Sequence, residues 1–415
     1  MKISDFTIRT ANSNTDCARL ESLFDAVFLP EQVGKFASTL IQHHPESNHA
    51  CWFMAEHKRS GQLAAAFTLI PWHWTWFGKD ITVAEQGVVA TLPEFRGLGL
   101  QRRLNAAFDE ELKIRAADLA IIQGIPGFYH TFDYYYALPI DNHINLEWRQ
   151  IPDAAFNKLK FRQAKLSDVA FLMAQEQSAA QIFDSTNKRD EKTWQYLLTH
   201  SKETEYGSDV WIGENNGAPQ VFFRRNYTGF GDGMIISEAS ECLTYSQALE
   251  ILSFLKQLNV DIQKPYLRLN LSNDASLSRV AFQLGAPKGE PYGFQIKIVD
   301  HRRWLEKQSE LFTNRLKNSA LKDFTGVLRL DLFRQAIDIA FDNGHCIQVT
   351  NANEHETTSA NVCIPFNLAP ALFLGRHSWR ELRKTRPDLI CDNPIGKIFM
   401  DTLFPKITSW HPLPY

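Results

Sequence analysis

The run Arg96-Gly97-Leu98-Gly99-Leu100-Gln101-Arg102-Arg103 gathers three arginines and two glycines where the apolar pattern predicts a helix to begin. A helix N-terminus exposes unpaired backbone N–H groups and a partial positive charge, and it normally attracts Asp or Glu. Arginines are mildly unfavourable there unless something negative fills the site. Gly97 and Gly99 let a ligand approach the backbone closely, and a pyrophosphate is the natural occupant. The alternative is a plain tight turn with solvated arginines. No Gly-Lys-Ser/Thr follows, so this is not a Walker A loop, and Arg102 stands where a dinucleotide fingerprint needs its third glycine.

The elements that must position this turn are legible on both sides. Val83 to Thr91 is β-prone and Pro93 closes the strand. Beyond the turn, Leu100, Leu104, Ala107, Phe108 and Leu112 share one helical face, with Asp109/Lys113 and Glu111/Arg115 at i,i+4 spacing outside. Farther out, Ile8-Arg9-Thr10-Ala11 and then Thr15-Asp16-Cys17-Ala18-Arg19-Leu20 read as a strand, a loop and a Thr/Asp-capped helix. Phe161-Arg162-Gln163-Ala164 and then Ser167-Asp168-Val169-Ala170-Phe171-Leu172 repeat the pattern. Each copy ends with a helix-like segment, a turn and an aromatic strand, at Gly127 to Leu138 and at Leu277 to Ile298. The offset is roughly 155 residues, about one domain, with a boundary near Pro152. The second copy has no glycine between Gly233 and Gly285 and only Arg268 and Arg279 as arginines there, so a structural role is expected of it.

From about His301 the pattern changes. Leu328, Leu330 and Leu332 alternate with charged residues as in a half-buried strand, and Cys346 to Thr350 and Val362 to Phe366 are further strand candidates. Gly375 is placed to end a helix, and Ser378-Trp379-Arg380-Glu381 fits a capping box that starts the next. Pro405, Pro412 and Pro414 keep the tail to Tyr415 extended. This makes a third, α+β domain.

Composition narrows the class. The chain of 415 residues has room for roughly three domains. Lys+Arg 44 against Asp+Glu 47 gives a net charge of −3, and no basic run offers a nucleic-acid footprint. Cys17, Cys51, Cys242, Cys346, Cys363 and Cys391 lie far apart without zinc spacing, so reduced, mostly buried thiols are expected. His43-His44, with His49 and His57, are expected as surface histidines rather than a metal site. The N-terminus lacks the apolar core of a signal peptide, and the apolar stretch Leu63 to Phe77 is too short to span a bilayer. A soluble cytoplasmic protein without membrane partners is expected. Trp72, Trp74 and Trp76 share one strand face, which reads as core or interface before it reads as an acceptor-binding wall.

Arg96-x-x-Gly99, after a strand ending Val88-Val89-Ala90-Thr91-Leu92-Pro93, resembles the pyrophosphate-binding motif of the GCN5-related N-acetyltransferases (GNAT). The usual motif ends in Gly or Ala where this chain has Gln101. The enhanced-intracellular-survival (Eis)-like subfamily, whose members modify aminoglycosides, resembles the chain over nearly its whole length and accepts a larger residue there. Gly124-Ile125-Pro126-Gly127-Phe128-Tyr129-His130-Thr131-Phe132-Asp133-Tyr134 resembles the tyrosine-containing end of the catalytic domain. Asp133 replaces a usual glycine, and Asp tolerates a left-handed backbone.

The resemblance implies an α/β (α+β) fold. It places a catalytic GNAT domain at 1–152, a degenerate second GNAT domain at 153–300 and a sterol-carrier-protein-like domain at 301–415. It implies acetyl-CoA as co-substrate, held by Val89, Ala90, Thr91, Arg96, Gly97, Leu98, Gly99, Leu100, Gln101, Arg102, Gly124 and Ile125, and no metal. By the same resemblance the N–H of Val89 or a neighbour is the oxyanion donor, Tyr129 the general acid and the α-carboxylate of Tyr415 the general base. Against these stand Tyr129 packing with Tyr134, Tyr135 and Tyr136, a tail that is merely docked, and Glu85 as a competing base. The implied function is direct acetyl transfer to an amine of an aminoglycoside-like small molecule or a peptide, in a homo-oligomer of hexamer type. The alternative, from another class, is a non-catalytic acyl-CoA- or lipid-binding module.

Overall fold

Alternating apolar residues and amphipathic helical stretches fold here into a mixed α/β protein. The computed structural model describes residues 1–12, 14–153, 158–289, 291–352, 358–391 and 393–415. The N-terminal part runs β1 (Phe6–Thr10), α1 (Asn14–Phe28), α2 (Val33–His43), β2 (Trp52–His57), β3 (Leu63–Trp76), β4 (Lys79–Thr91), α3 (Leu100–Ile114), β5 (Leu119–Ile122), β6 (Tyr135–Asp141) and β7 (Ile144–Leu146). The middle runs β8 (Lys160–Gln163), α4 (Val169–Ala179), β9 (Ser185–Asn187), α5 (Glu191–Thr199), β10 (Ser208–Asn215), β11 (Ala218–Asn226), β12 (Met234–Ala239), α6 (Tyr245–Ile262), β13 (Leu267–Leu269), α7 (Ser276–Gln283) and β14 (Tyr292–Ile298). The last part runs α8 (His301–Lys307), α9 (Ser309–Lys317), β15 (Gly326–Asp331), β16 (Ala336–Asp342), β17 (His345–Asn351), β18 (Ala360–Cys363), α10 (Ala369–Phe373), α11 (Trp379–Arg383), β19 (Ile390–Cys391), α12 (Pro394–Leu403) and β20 (Ser409–Trp410).

The chain divides into two compact units, one of residues 1–111, 139–292 and 408–415, the other of residues 112–138 and 293–407. In the first unit, β1 to β4 form an antiparallel ladder in sequence order. β9 extends that ladder along the far end of β3, with β20 parallel to it. Trp72, Trp74 and Trp76 on β3 are buried while His73 between them is exposed, so the indoles are core.

A second sheet in this unit has the order β7-β13-β12-β11-β10-β8. β7 precedes Pro152, yet Leu146 pairs with Leu267 and Ile144 with Leu269. Both are fully buried with Leu252 of α6 in the core of that sheet. At about 1.5–3 kcal/mol for each buried aliphatic side chain, burial outweighs proximity in the chain.

The two segments read as copies share an ion triad in which only the aspartate is buried. Arg9 on β1 donates to Asp16 and to Glu56 on β2, with bonds of 2.8 to 3.0 Å. Arg162 on β8 does the same with Asp168 and with Glu214 on β10. The registers match: Arg9 faces Met54 two residues before Glu56, and Arg162 faces Ile212 two residues before Glu214. The expected caps are therefore ion-pair acceptors. Asp16 lies inside the first turn of α1, and Asp168 precedes α4 without capping it.

In the second unit β5 pairs antiparallel with β14, Ile122 facing Gln295, and β6 follows β14 in the order. The five-stranded sheet β17-β16-β15-β18-β19 completes it, with Leu328, Leu330 and Leu332 fully buried. The Ser378/Glu381 capping box forms at α11, and Gly375 adopts φ +67° just past α10. β18 stops at Cys363 instead of reaching Phe366. Pro365 has no N–H for the ladder, and the chain turns into a short 3-10 helix at Phe366–Leu368.

Two surface expectations fail. Only Cys17 and Cys51 are buried; Cys242 is exposed, in the turn before α6, and the other three thiols are half-buried near strand ends and turns. His44 is buried rather than at the surface, because its ring packs edge-on to Tyr196 at 5.1 Å and its Nδ1 accepts the Ser47 N–H at 3.1 Å. Burial pushes that imidazole down to about 4, so it is neutral. The His49 side chain lies outside the described residues.

Candidate active site

At the end of β4 the chain makes a short turn over Pro93–Phe95 and then runs through the glycines into α3. Gly97 and Gly99 both have φ of +78°, and a Cβ on either would meet nothing within 4 Å. Glycine is needed for the backbone conformation, and the space above it is open. The Gly99 carbonyl accepts the Arg103 N–H at 3.3 Å, so Gly99 opens α3 and brings no capping side chain to its first turn. Arg96, Arg102 and Arg103 are exposed around that turn, and Arg96 Nε donates to the Thr91 carbonyl at 3.3 Å. Leu98 is half-buried, whereas the Leu100 side chain is core, which leaves only its backbone to the turn. Gln101 Nε2 donates to the Ala90 carbonyl at 3.1 Å and to Thr91 Oγ1 at 3.0 Å. The larger residue thus ties α3 to the end of β4.

Just before this corner β4 is bulged. Ala66 faces Ala90 and Thr68 faces Gly87, so Val88 and Val89 together oppose the single residue Phe67. Val88 has φ of +53°, an outlier for a β-branched residue. Such strain costs about 1–3 kcal/mol and persists only where the surroundings enforce it. The bulge takes the half-buried Val89 out of regular pairing with β3. No sequence signal marks it, since Val is among the residue types least suited to positive φ.

Three residues upstream on β4, the buried Glu85 accepts Trp72 Nε1 at 3.0 Å and the phenol of Tyr415 at 3.0 Å. Burial pushes that phenol well above its ordinary value. The Tyr415 ring sits 4.9 Å from Phe36 and 5.0 Å from Tyr206, and its main-chain oxygen accepts Arg224 Nη2 at 2.6 Å. Glu85 and Tyr415, two rival bases in the sequence, are neighbours in one network although 330 positions apart. Arg224, Tyr206 and Phe36 carried no sequence signal, because only the folded tail brings them together.

In the second unit, Gly124, Ile125 and Tyr129 lie between β5 and β6. A Cβ on Gly124 would come within 2.2 Å of the Tyr129 ring, so glycine is required for close approach. Gln295 Nε2 on β14 fixes the segment by donating to the Gly124 carbonyl at 2.8 Å. Ile125 is 67% exposed. Tyr129 is buried and stacks edge-on with Phe128 at 4.9 Å, and burial pushes its phenol up, which keeps it protonated at neutral pH. Asp133 adopts the left-handed conformation at φ +66° and accepts Arg334 Nη1 at 2.6 Å. Among the described residues no group of three or more His, Cys, Asp and Glu could hold a metal ion, and no helix is long and apolar enough to cross a membrane.

Residues 7–137 match the family described as acetyltransferase (GNAT) domain. Comparison with curated proteins finds no match. Solved structures are similar over nearly the whole chain. A conserved protein from Enterococcus faecalis, described as a probable N-acyltransferase, shares 14% identity and a TM-score of 0.70, covering 98% of each chain. A GCN5-related N-acetyltransferase from Anabaena variabilis shares 14% identity at a TM-score of 0.67, covering 98% of this chain and 99% of that one. Eis1 from Mycobacterium abscessus shares 13% identity at a TM-score of 0.64, covering 99% and 100%. At such identities the likeness establishes the fold.

Proposed function

We propose that this chain, whose N-terminal region carries a GNAT acetyltransferase domain, transfers the acetyl group of acetyl-CoA directly to an amine of an aminoglycoside-like small molecule or a peptide. The observation that carries this reading is the uncapped Gly97-Leu98-Gly99 turn ringed by arginines, one turn after a bulged strand. Its N–H groups at the start of α3 and the Arg96 and Arg102 guanidiniums suit a pyrophosphate. The β4 backbone at Ala90 and Thr91 is proposed to pair with the pantetheine arm, and Gly124 and Ile125 are further proposed acetyl-CoA residues.

Acyl transfer to an amine needs a neutral amine, a stabilised oxyanion and a proton for the departing thiolate. The Val89 N–H, at the bulge, is the proposed oxyanion donor. The protonated Tyr129 phenol is the proposed acid. The α-carboxylate of Tyr415 is the proposed base, with Glu85 beside its phenol as the competitor. The three-domain division at 1–152, 153–300 and 301–415 is part of the same proposal. It is supported by the paired ion triads, although β7 pairs in the sheet of the middle region. A cytoplasmic homo-oligomer, hexameric by family resemblance, completes the reading.

The test is acetyl-CoA-dependent release of free CoA thiol across aminoglycosides, polyamines, arylamines and lysine peptides. Turnover with one of these amines is expected, and it should be abolished in a chain extended by a few residues after Tyr415. Acetyl-CoA binding with silence across the panel would favour a non-catalytic acyl-CoA-binding module. Absence of binding would sink the assignment of the Arg96 to Arg103 turn.

A further inference from the structure

Arg224 is a charged side chain of the second sheet, 2% exposed, that spends its hydrogen bonds on the tail of the chain. Its Nη1 donates to the Leu413 carbonyl at 2.7 Å, its Nη2 to the Tyr415 main-chain oxygen at 2.6 Å and its Nε to Ser208 Oγ at 2.8 Å. Behind it lies Glu238 at 4.0 Å, which is paired with Arg189, and Arg189 in turn donates to Glu176 at 2.8 Å. Two arginines thus face two glutamates and, at Tyr415, the α-carboxylate assigned as base in the acetyl-transfer reading. Such compensation lets a buried guanidinium persist with its donors aimed elsewhere. Burial pulls Arg224 down to about 10, so it remains a cation at neutral pH.

The tail it holds ends on Glu85. The Tyr415 phenol donates to that carboxylate at 3.0 Å, and the ring lies among Phe36, Trp72 and Tyr206. Upstream, His411 stacks on Trp74 at 3.6 Å and β20 pairs with β9, so those residues have their own anchors. The described side chain that donates to the main-chain oxygens of both Leu413 and Tyr415 is Arg224. A register shift aims it there: Arg224 faces Glu238 and Arg225 faces Ile236, leaving Ser237 of β12 as the extra residue of a bulge.

We propose that Arg224 is a positioning residue for acetyl transfer, clamping residues 413–415 so that Tyr415 meets Glu85. The second region, although it lacks a phosphate cradle, then supplies an essential part of the reaction site. This rests on the acetyl-transfer reading above.

The experiment compares R224Q, R224K and Y415F with the full-length protein on an amine that turns over. R224Q is expected to lower kcat about 100-fold, the scale of misplacing a reacting group by an ångström, with the KM for acetyl-CoA unchanged. R224K, which restores the cation and a donor, is expected to recover a large part of that loss. Y415F leaves the Arg224 clamp and the α-carboxylate in place, so it reads the phenol–Glu85 contact by itself and should cost less than R224Q. Wild-type kcat in R224Q overturns the proposal. In parallel, a carboxypeptidase that accepts a penultimate proline should release Tyr415 from R224Q and not from wild type. That readout needs no substrate: release from R224Q in a protein that acetylates nothing would uphold the clamp and refute only the reaction. Equal resistance in both proteins overturns the clamp.

Discussion

β4 leading into α3 and β12 leading into α6 are both passages from a bulged strand into a helix, and they differ at the helix N-terminus. Both strands carry one extra residue relative to their partner, at Val88–Val89 and at Ser237. The helix after the first opens on Gly99 with no capping side chain and three exposed arginines. The helix after the second opens on Thr244, whose hydroxyl accepts the Gln247 N–H while Gln247 Oε1 accepts the Thr244 N–H at 2.9 Å. One terminus satisfies its own donors. The other leaves them available to an anion. A helix end is a binding site only when its own side chains decline to cap it.

The strongest way to break this comparison is to alter both termini. Replacing Arg96 and Arg102 together by alanine should weaken acetyl-CoA binding by at least about 100-fold, since hydrogen bonds to charged groups are worth roughly 1.5–3 kcal/mol each. Thr244→Ala should leave that affinity alone and lower stability by about 1 kcal/mol, the typical value of a lost cap. Calorimetric titration and thermal melting read the two effects; equal affinity losses in both variants would end the contrast.

Tyr129→Phe sharpens it at the level of chemistry. Turnover should fall by at least about tenfold, a modest share of the usual contribution of a general acid, while acetyl-CoA affinity is kept. Unchanged turnover removes Tyr129 from the mechanism.

The smallest effect concerns the docking of the tail. Burial pushes His411 on the tail down to about 3 and His44 down to about 4, both below their ordinary 6.5. The unfolded chain therefore binds protons first as pH falls. Their contribution is complete above about pH 6.5 and is lost progressively toward pH 4 and below. The melting temperature should drop between pH 7 and pH 4.5, and His44→Asn should flatten that drop. A flat wild-type profile contradicts it.

What could be read along the chain was local in origin. The Ser378/Glu381 box, the Trp72/Trp74/Trp76 alternation, the glycine turn and the left-handed Asp133 each follow from residue type and spacing within a few positions. The caps expected at Asp16 and Asp168 differ because each carboxylate binds the arginine of the strand before it and a backbone N–H of the approach, Asn12 or Lys165, rather than the helix that follows. His44 was misplaced at the surface for a similar reason: its aromatic partner Tyr196 comes from a different helix.

By itself the sequence determined the strand–turn–helix that could hold a pyrophosphate, the absence of such a glycine turn between Gly233 and Gly285, and a proline-bearing tail. Tertiary structure alone decided the positive φ of Val88, the pairing of β7 with β13 and of β5 with β14, and the meeting of Arg224, Tyr415 and Glu85. The physical reason is one of range. Backbone preference and capping act over a few residues, whereas ladder register, burial and buried charge are settled by whichever distant residues the fold makes neighbours.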